Sequence, residues 1–315
     1  MYYGKVQGKQ TVCFAGRFHF YEGHAGPTLT LLPNLASALG CRVFVLTNAA
    51  GGTLPSMQLG CLMTIVEHAS TSRFNPLAGY EAINCSHLHL TQDEAREQLG
   101  QAKYPFSTSA KQIYSAEIAR IAQQIATDEG FARKTAFSLN GEDRQVKLYE
   151  ATYLKITGPY YEAHASIPHI IKFCPGSVGM SSIPEALTAR MLGMHVYGMS
   201  VVTDLCLLDV VSTVTHEQVK QVADKVSNAV QALVSQLVHD LDVDKLAPIE
   251  PWGKITEDFQ MIEETTGYAS WEDAEHQAAG LKGAKHAIIY PDVKFSMYVD
   301  KETLFVSAPK TVTQY

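Results

Sequence analysis

The chain has 315 residues, 46% of them hydrophobic and 18% charged, which at roughly 150 residues per domain makes two domains or one large α/β domain. Its net charge of −7 and pI near 5.9 exclude the broad basic footprint of a general binder of polymeric nucleic acid, while leaving room for a local cationic pocket. No run of about 18 apolar residues occurs, so no membrane span is expected, and the opening MYYGKVQGKQ lacks the basic and apolar regions of a signal peptide, which makes the cytoplasm the expected compartment.

Apolar runs alternate with helical patterns, predicting an α/β architecture around a largely parallel sheet. KQTVCFAGRFHFYEG, residues 9–23, reads as a strand, and the latter part of TLTLLPNLASAL as a helix. CRVFVLTNAAGG is a buried strand running into a glycine turn, LMTIVEHAS is another strand, and residues 66–112 read as a long polar loop or lid. The stretch IYSAEIARIAQQIA is helical. Further strands are expected in ATYLKITGPYYE, GSVGMSS and HVYGMSVVTD, with a helix over IPEALTARMLG. Apolar residues at 219, 222, 223, 226, 230, 233, 234, 237 and 238 follow one helical face beginning near His216. Two prolines and a glycine in 242–256 mark a linker, and beyond it SWEDAEHQAAGLKG reads as helix and KHAIIYPDV as strand.

The six cysteines include no CxxC pair, so a disulfide framework is not expected. Cys85-Ser86-His87-Leu88-His89 is metal-like in composition but has no second pair of ligands, and no metal is expected.

Five short segments carry side chains suited to chemistry. In Gly16-Arg17-Phe18-His19-Phe20-Tyr21-Glu22-Gly23, strand alternation puts Arg17, His19 and Tyr21 on one face, either as an oxyanion site or as the wet face of an amphipathic strand. In Thr47-Asn48-Ala49-Ala50-Gly51-Gly52, small residues after a strand let backbone amides approach an anion or simply make a tight turn. In Val178-Gly179-Met180-Ser181-Ser182-Ile183-Pro184-Glu185, Ser182 and Glu185 have capping-box spacing, which places Ser181 beside a helix N-terminus. Gly158-Pro159-Tyr160-Tyr161-Glu162 and Val201-Val202-Thr203-Asp204 end apolar strands in carboxylates that can bond a polar heterocycle, with Tyr161 as a stacking surface.

In their order and approximate spacing, GRFHFYEG, TNAAGG, GPYYE, VGMSSIPEALTAR and the strand ending in Thr203-Asp204 resemble the trimeric purine nucleoside phosphorylase family, over about residues 4–240. The resemblance implies a phosphorylase-type three-layer fold, with a central mixed, mainly parallel twisted sheet flanked by helices. It also implies a homotrimer with active sites near subunit interfaces, acting on a purine nucleoside and inorganic phosphate in purine salvage. Phosphate is then a co-substrate, and no metal or organic cofactor is needed. Carried over residue by residue, Arg17, His19, the Ala49 backbone and Ser181 hold phosphate. Tyr21, Met180 and His216 hold ribose, with Tyr104 reaching into a neighbour's site. Tyr161, Glu162, Val178, Gly179, Thr203 and Asp204 surround the purine. His19, Asp204 and Glu162 carry the catalytic roles.

The sequence departs from that family in two places. The family's helix, strand and glycine-rich phosphate loop precede its GRFH segment, whereas sixteen residues precede Arg17 here. The tail, about 255–315, resembles that element in order, so 1–241 is expected to be the core and 242–315 a circularly permuted element, the rival being an unrelated extension. Its candidate loop, Tyr290-Pro291-Asp292-Val293-Lys294-Phe295-Ser296-Met297-Tyr298, holds no glycine, leaving Lys294 or Ser296 as substitutes. Secondly, Asp204 stands where members specific for 6-oxopurines usually carry Asn. An ionised Asp only accepts, which suits a 6-amino group, while Glu162 suits guanine. A protonated Asp204 donating to N7 reconciles them. The alternatives are adenosine or 5′-methylthioadenosine phosphorolysis, and a nucleoside-binding protein without turnover.

Overall fold

The computed structural model describes residues 1–24, 26–72, 113–208 and 214–249, together with the backbone of three short strands beyond them. A hairpin of β1 (Tyr2–Val6) and β2 (Lys9–Cys13) leads through a 3-10 turn, Phe20–Glu22, into α1 (Gly26–Leu29) and α2 (Leu31–Ala38). Next come β3 (Val43–Gly52), β4 (Leu62–Ser70), α3 (Ala116–Ala126), α4 (Glu129–Lys134) and the small hairpin β5 (Phe137–Leu139) and β6 (Glu142–Arg144). They are followed by β7 (Leu148–Lys155), α5 (Ile167–Phe173), β8 (Gly176–Gly179), α6 (Ile183–Met191), β9 (His195–Leu205), α7 (His216–Lys225) and α8 (Ser227–Asp240). The last are β10 (His286–Ile289), β11 (Ser296–Val299) and β12 (Leu304–Ser307).

The expected mixed α/β sheet is present, and it closes on itself as a barrel in the order β3-β8-β7-β4-β9. The seams β3/β9, β4/β7 and β7/β8 are parallel, while β4/β9 and β3/β8 are antiparallel. Side-chain alternation along β9 divides the core. Val196 and Val202 join a cluster with Ala36 of α2 and Ile183, Ala186 and Ala189 of α6. Tyr197, Met199 and Val201 join Ile118 and Ala122 of α3 and Leu233 and Leu237 of α8. Helices thus cover the sheet on both faces, as a period of two demands of a strand buried on both.

Local chemistry explains the helix starts. Ser115 accepts the Ile118 amide at the start of α3, and Thr215 and Gln218 form a reciprocal capping box at α7. The end of α8 is capped from far away in sequence: Lys9 Nζ donates to the carbonyls of Val238, His239 and Leu241, and Gln7 Nε2 reaches Ser235 Oγ at 2.9 Å. A cation on the unpaired carbonyls of a helix C-terminus satisfies both their hydrogen bonding and their dipole.

Several segments differ from their sequence pattern. Residues 9–23 are not one strand: β2 stops at Cys13, Gly16 adopts φ 114°, and the 3-10 turn is closed by a His19–Glu22 capping box and by Gly23 at φ 85°. The face-sharing of Arg17, His19 and Tyr21 as strand neighbours is therefore corrected. Thr47–Gly52 is not a turn, because β3 continues through Gly52. The strand expected through Glu162 ends at Lys155. The single helix from His216 is two, parting at Val226. Of the long loop, residues 66–70 belong to β4, and 73–112 lie outside the described residues. The metal-like Cys85–His89 cluster, Tyr104 and the helix expected over 270–283 also lie outside them. In the tail, β10, β11 and β12 pair with one another as an antiparallel sheet, so residues 296–298 lie in a strand and not in a loop. Among the described residues, no helix is long and apolar enough to cross a membrane.

Candidate active site

The sequence-predicted residues converge where β3, β8 and β7 run side by side. Gly51 pairs with Val178 across one seam and with Asp204 across another, and Lys155 pairs with Gly179. A register shift between Ala50 and Gly51 marks a bulge, a local kink that re-aims side chains. Gly51 is needed there: a Cβ on it would lie 2.7 Å from Asp204 Oδ2 and 3.3 Å from Val178 Cγ1.

The first corner is built on Arg17. Its Nη1 donates to Ser182 Oγ at 2.7 Å and lies 3.5 Å from Glu185 Oε1, while Nη2 donates to the Thr47 carbonyl. Asn48 Nδ2 donates to the same Ser182 Oγ at 2.9 Å. The Ser181 amide donates to Tyr153 Oη at 3.2 Å, and Ser181 Oγ lies 3.3 Å from Ser182 Oγ. The capping box expected of Ser182 and Glu185 does not form, because both side chains are taken by Arg17. Ser182 makes no side-chain cap and sits at φ 64°, ψ −38°, a left-handed conformation that costs a non-glycine residue roughly 1–3 kcal/mol. Glu185 is 3% exposed; burial pushes its carboxyl up, with the charges of Arg17, His19 and Lys155 opposing. Tyr153, fully buried, is pushed up to about 12.

The second group adjoins it. His19 and Tyr21 stack with ring centroids 4.9 Å apart, and His19 Nδ1 lies 3.4 Å from Glu22 Oε1. Gly158, which precedes a cis Pro159 at φ 74°, is squeezed between Met180 and Tyr21: a Cβ there would overlap Met180 Sδ and lie 3.1 Å from Tyr21 Cδ1.

The third group carries the carboxylates. Thr203 Oγ1 donates to Asp204 Oδ1 at 3.1 Å. Burial raises the Asp204 carboxyl, with the Thr203 hydroxyl opposing; Glu162 is raised by burial and by Asp204. Tyr161 is raised by burial and by the charges of Asp204 and Glu162, so these side chains share one electrostatic neighbourhood. Burial thus shifts both carboxyls toward the neutral form, in which a carboxyl donates as well as accepts.

Ala49, a candidate through its backbone amide, follows Asn48 in β3 and pairs with Val201, its side chain exposed. His216 is exposed as the first residue of α7, just after residues 209–213, which the structure does not describe. Conversely, sequence reasoning gave no role to Asn48, Tyr153 or Lys155. Lys155 was signalled by a lone charge inside the apolar run Tyr153-Leu154-Lys155-Ile156. Among the described residues no cluster of three or more His, Cys, Asp or Glu side chains is placed to hold a metal ion.

Residues 1–239 match the model of the phosphorylase superfamily. Purine nucleoside phosphorylase 1 of Geobacillus stearothermophilus is 30% identical over 239 residues, covering 76% of this chain and 75% of that protein. Among solved structures, Schistosoma mansoni purine nucleoside phosphorylase in complex with inosine superposes with a TM-score of 0.59 at 26% identity, over 76% of this chain and 75% of that one. Its complex with adenosine gives 0.57 at 26% identity, over 76% of each chain. With a family match over three quarters of its length, the chain belongs to the phosphorylase superfamily.

Proposed function

We propose that the chain is a purine nucleoside phosphorylase, cleaving purine ribonucleosides and deoxyribonucleosides with inorganic phosphate to free base and ribose 1-phosphate. The observation that carries this reading is the juxtaposition of the Arg17–Ser182–Glu185 corner with the Tyr161–Glu162–Asp204 group, Tyr21 and Met180 lying beside Gly158 between them. Arg17, His19, Ser181 and the Ala49 amide hold phosphate. Tyr21, Met180 and His216 hold ribose, and Tyr161, Glu162, Val178, Gly179, Thr203 and Asp204 surround the base. A phosphate oxygen forms a bond to C1′ as the C1′–N9 bond breaks and its electron pair passes to the purine. The neutral Asp204 carboxyl gives its proton to N7, and Glu162 accepts from the base. On this reading the protein works as a homotrimer in the cytosol, in purine salvage, with Tyr104 reaching a neighbour's site. Residues 1–241 form the catalytic core, with 242–315 as a permuted element.

The test is base release from inosine, guanosine and adenosine, each with and without phosphate. Release that requires phosphate is expected, and Arg17→Ala is expected to reduce it by about 100-fold or more, the usual cost of one preorganised donor to developing charge. Equal release without phosphate would make the chain a hydrolase. Saturable nucleoside binding with no release would make it a binding protein.

A further inference from the structure

Lys155 stands at the end of β7, 1% exposed, and its Nζ has no hydrogen-bond partner. The ring of Phe20, its centroid 5.9 Å away, is a weak substitute for water around an ammonium. The side chain shares a strand face with Tyr153, whose hydroxyl accepts the Ser181 amide, and its backbone pairs with Gly179, which begins the segment Gly179-Met180-Ser181. It therefore faces the anion corner. The carboxylate it meets electrostatically is Glu185, which is already engaged by Arg17 at 3.5 Å. A guanidinium and an ammonium thus share one buried carboxylate, and Asn48 Oδ1, beside Ser182, is likewise buried without a partner. Burial lowers the Lys155 ammonium, with Glu185 opposing. A buried charge without hydrogen bonds is costly unless something completes its shell.

We propose that Lys155 Nζ is a ligand of the phosphoryl group, whether of inorganic phosphate or of a sugar 1-phosphate, doing with a side-chain ammonium what backbone amides of a glycine loop do elsewhere. This rests on the phosphorolysis reading above. A dianion placed between Arg17 and Lys155 neutralises the excess positive charge and gives the ammonium acceptors.

Lys155→Met keeps the length of the stem and removes the charge. The phosphate and nucleoside KM values are measured in the forward direction, the ribose 1-phosphate KM in reverse, and Tm with and without inorganic phosphate. Both phosphoryl KM values are expected to rise by about tenfold or more, the worth of one charge-assisted hydrogen bond, with the nucleoside KM within about twofold. The phosphate-induced rise in Tm is expected to disappear, while the phosphate-free Tm is unchanged or higher, because a desolvated charge has gone. Unchanged phosphoryl KM values in a phosphate-dependent enzyme overturn the assignment and leave phosphorolysis standing; a lower phosphate-free Tm alongside them identifies Lys155 as the counter-charge of Glu185. Turnover by the wild type that needs no phosphate overturns both readings. Should Lys155→Met not fold, Lys155→Gln is read by the same measurements.

Discussion

On the phosphorolysis reading proposed above, Asp204 and Glu162 decide the base. Glu162 lies close enough to Asp204 to feel its charge, and burial moves both carboxyls toward the neutral form. With its one proton directed at N7, Asp204 turns an acceptor oxygen to the 6-position, which repels the O6 of inosine and suits the 6-amino group of adenosine; an amide in its place has two donor hydrogens, for N7 and O6. Asp204→Asn is therefore expected to raise the inosine-to-adenosine ratio of kcat/KM by about tenfold or more, one hydrogen bond of roughly 1.4 kcal/mol. An unchanged ratio would remove Asp204 from reading the 6-position. At this scale residue types were legible in the sequence and neighbours were not. Arg17 and Ser181 stand in segments whose composition suits an oxyanion, with a wet strand face as the alternative for Arg17, and Met180 gained its role only through the family resemblance. Ser182 and Glu185 have the spacing of a cap, and only the fold shows that a guanidinium from 165 positions away takes the Ser182 hydroxyl. The missing partner of Lys155 is a property of what surrounds it, which no local pattern encodes.

Elements were legible where one period ran unbroken, as in α3 with Ile118, Ala122 and Ile125 buried on one face, and illegible where a bulge or turn reset the phase. β4 shows the effect. Met63 and Ile65 belong with Tyr114 to one core cluster, while Thr64 faces away to bond Tyr197. A register shift between Ile65 and Glu67 leaves Val66 exposed and brings His68 to the Tyr114 side, its Nδ1 2.9 Å from the phenol oxygen. Alternation alone would have sent His68 the other way. Burial there lowers the imidazole to about 4, below its unfolded value near 6.5. Because the unfolded chain binds the proton first, His68 favours folding fully above pH ~6.5 and loses that contribution as pH falls toward about 4, up to about 3 kcal/mol in all. Denaturation of His68→Gln and the wild type at several pH values should show their stability difference changing by an amount of that order across the window. A constant difference would mean the ring is solvated.

For the molecule as a whole, βα alternation pointed to a largely parallel sheet and the family resemblance to a mixed one flanked by helices, but neither pointed to its closure, since strand patterns carry no information about which edges meet. Closure depends on β8, four buried residues that pair with β3 through Gly51 and Gly52 alone and with β7 from Gly176 onward. A Cβ on Gly176 would overlap the Thr152 carbonyl and lie 2.9 Å from the Thr152 amide nitrogen, backbone that cannot yield. Gly176→Ala is expected to destabilise the fold by about 3 kcal/mol or more, read as a large fall in Tm or loss of folded protein. A near-native Tm would mean the β7–β8 seam is looser than drawn.

The Lys9 tether has a consequence for synthesis. The hairpin leaves the ribosome before α8, and its acceptors there lie 229 to 232 positions later. At about 5–20 residues per second the hairpin waits on the order of 10–50 seconds for its anchor. Through that interval the aromatic pair Tyr2 and Tyr3, exposed even in the finished fold, belongs to a hairpin without its tether, and the clasp closes only once α8 has emerged.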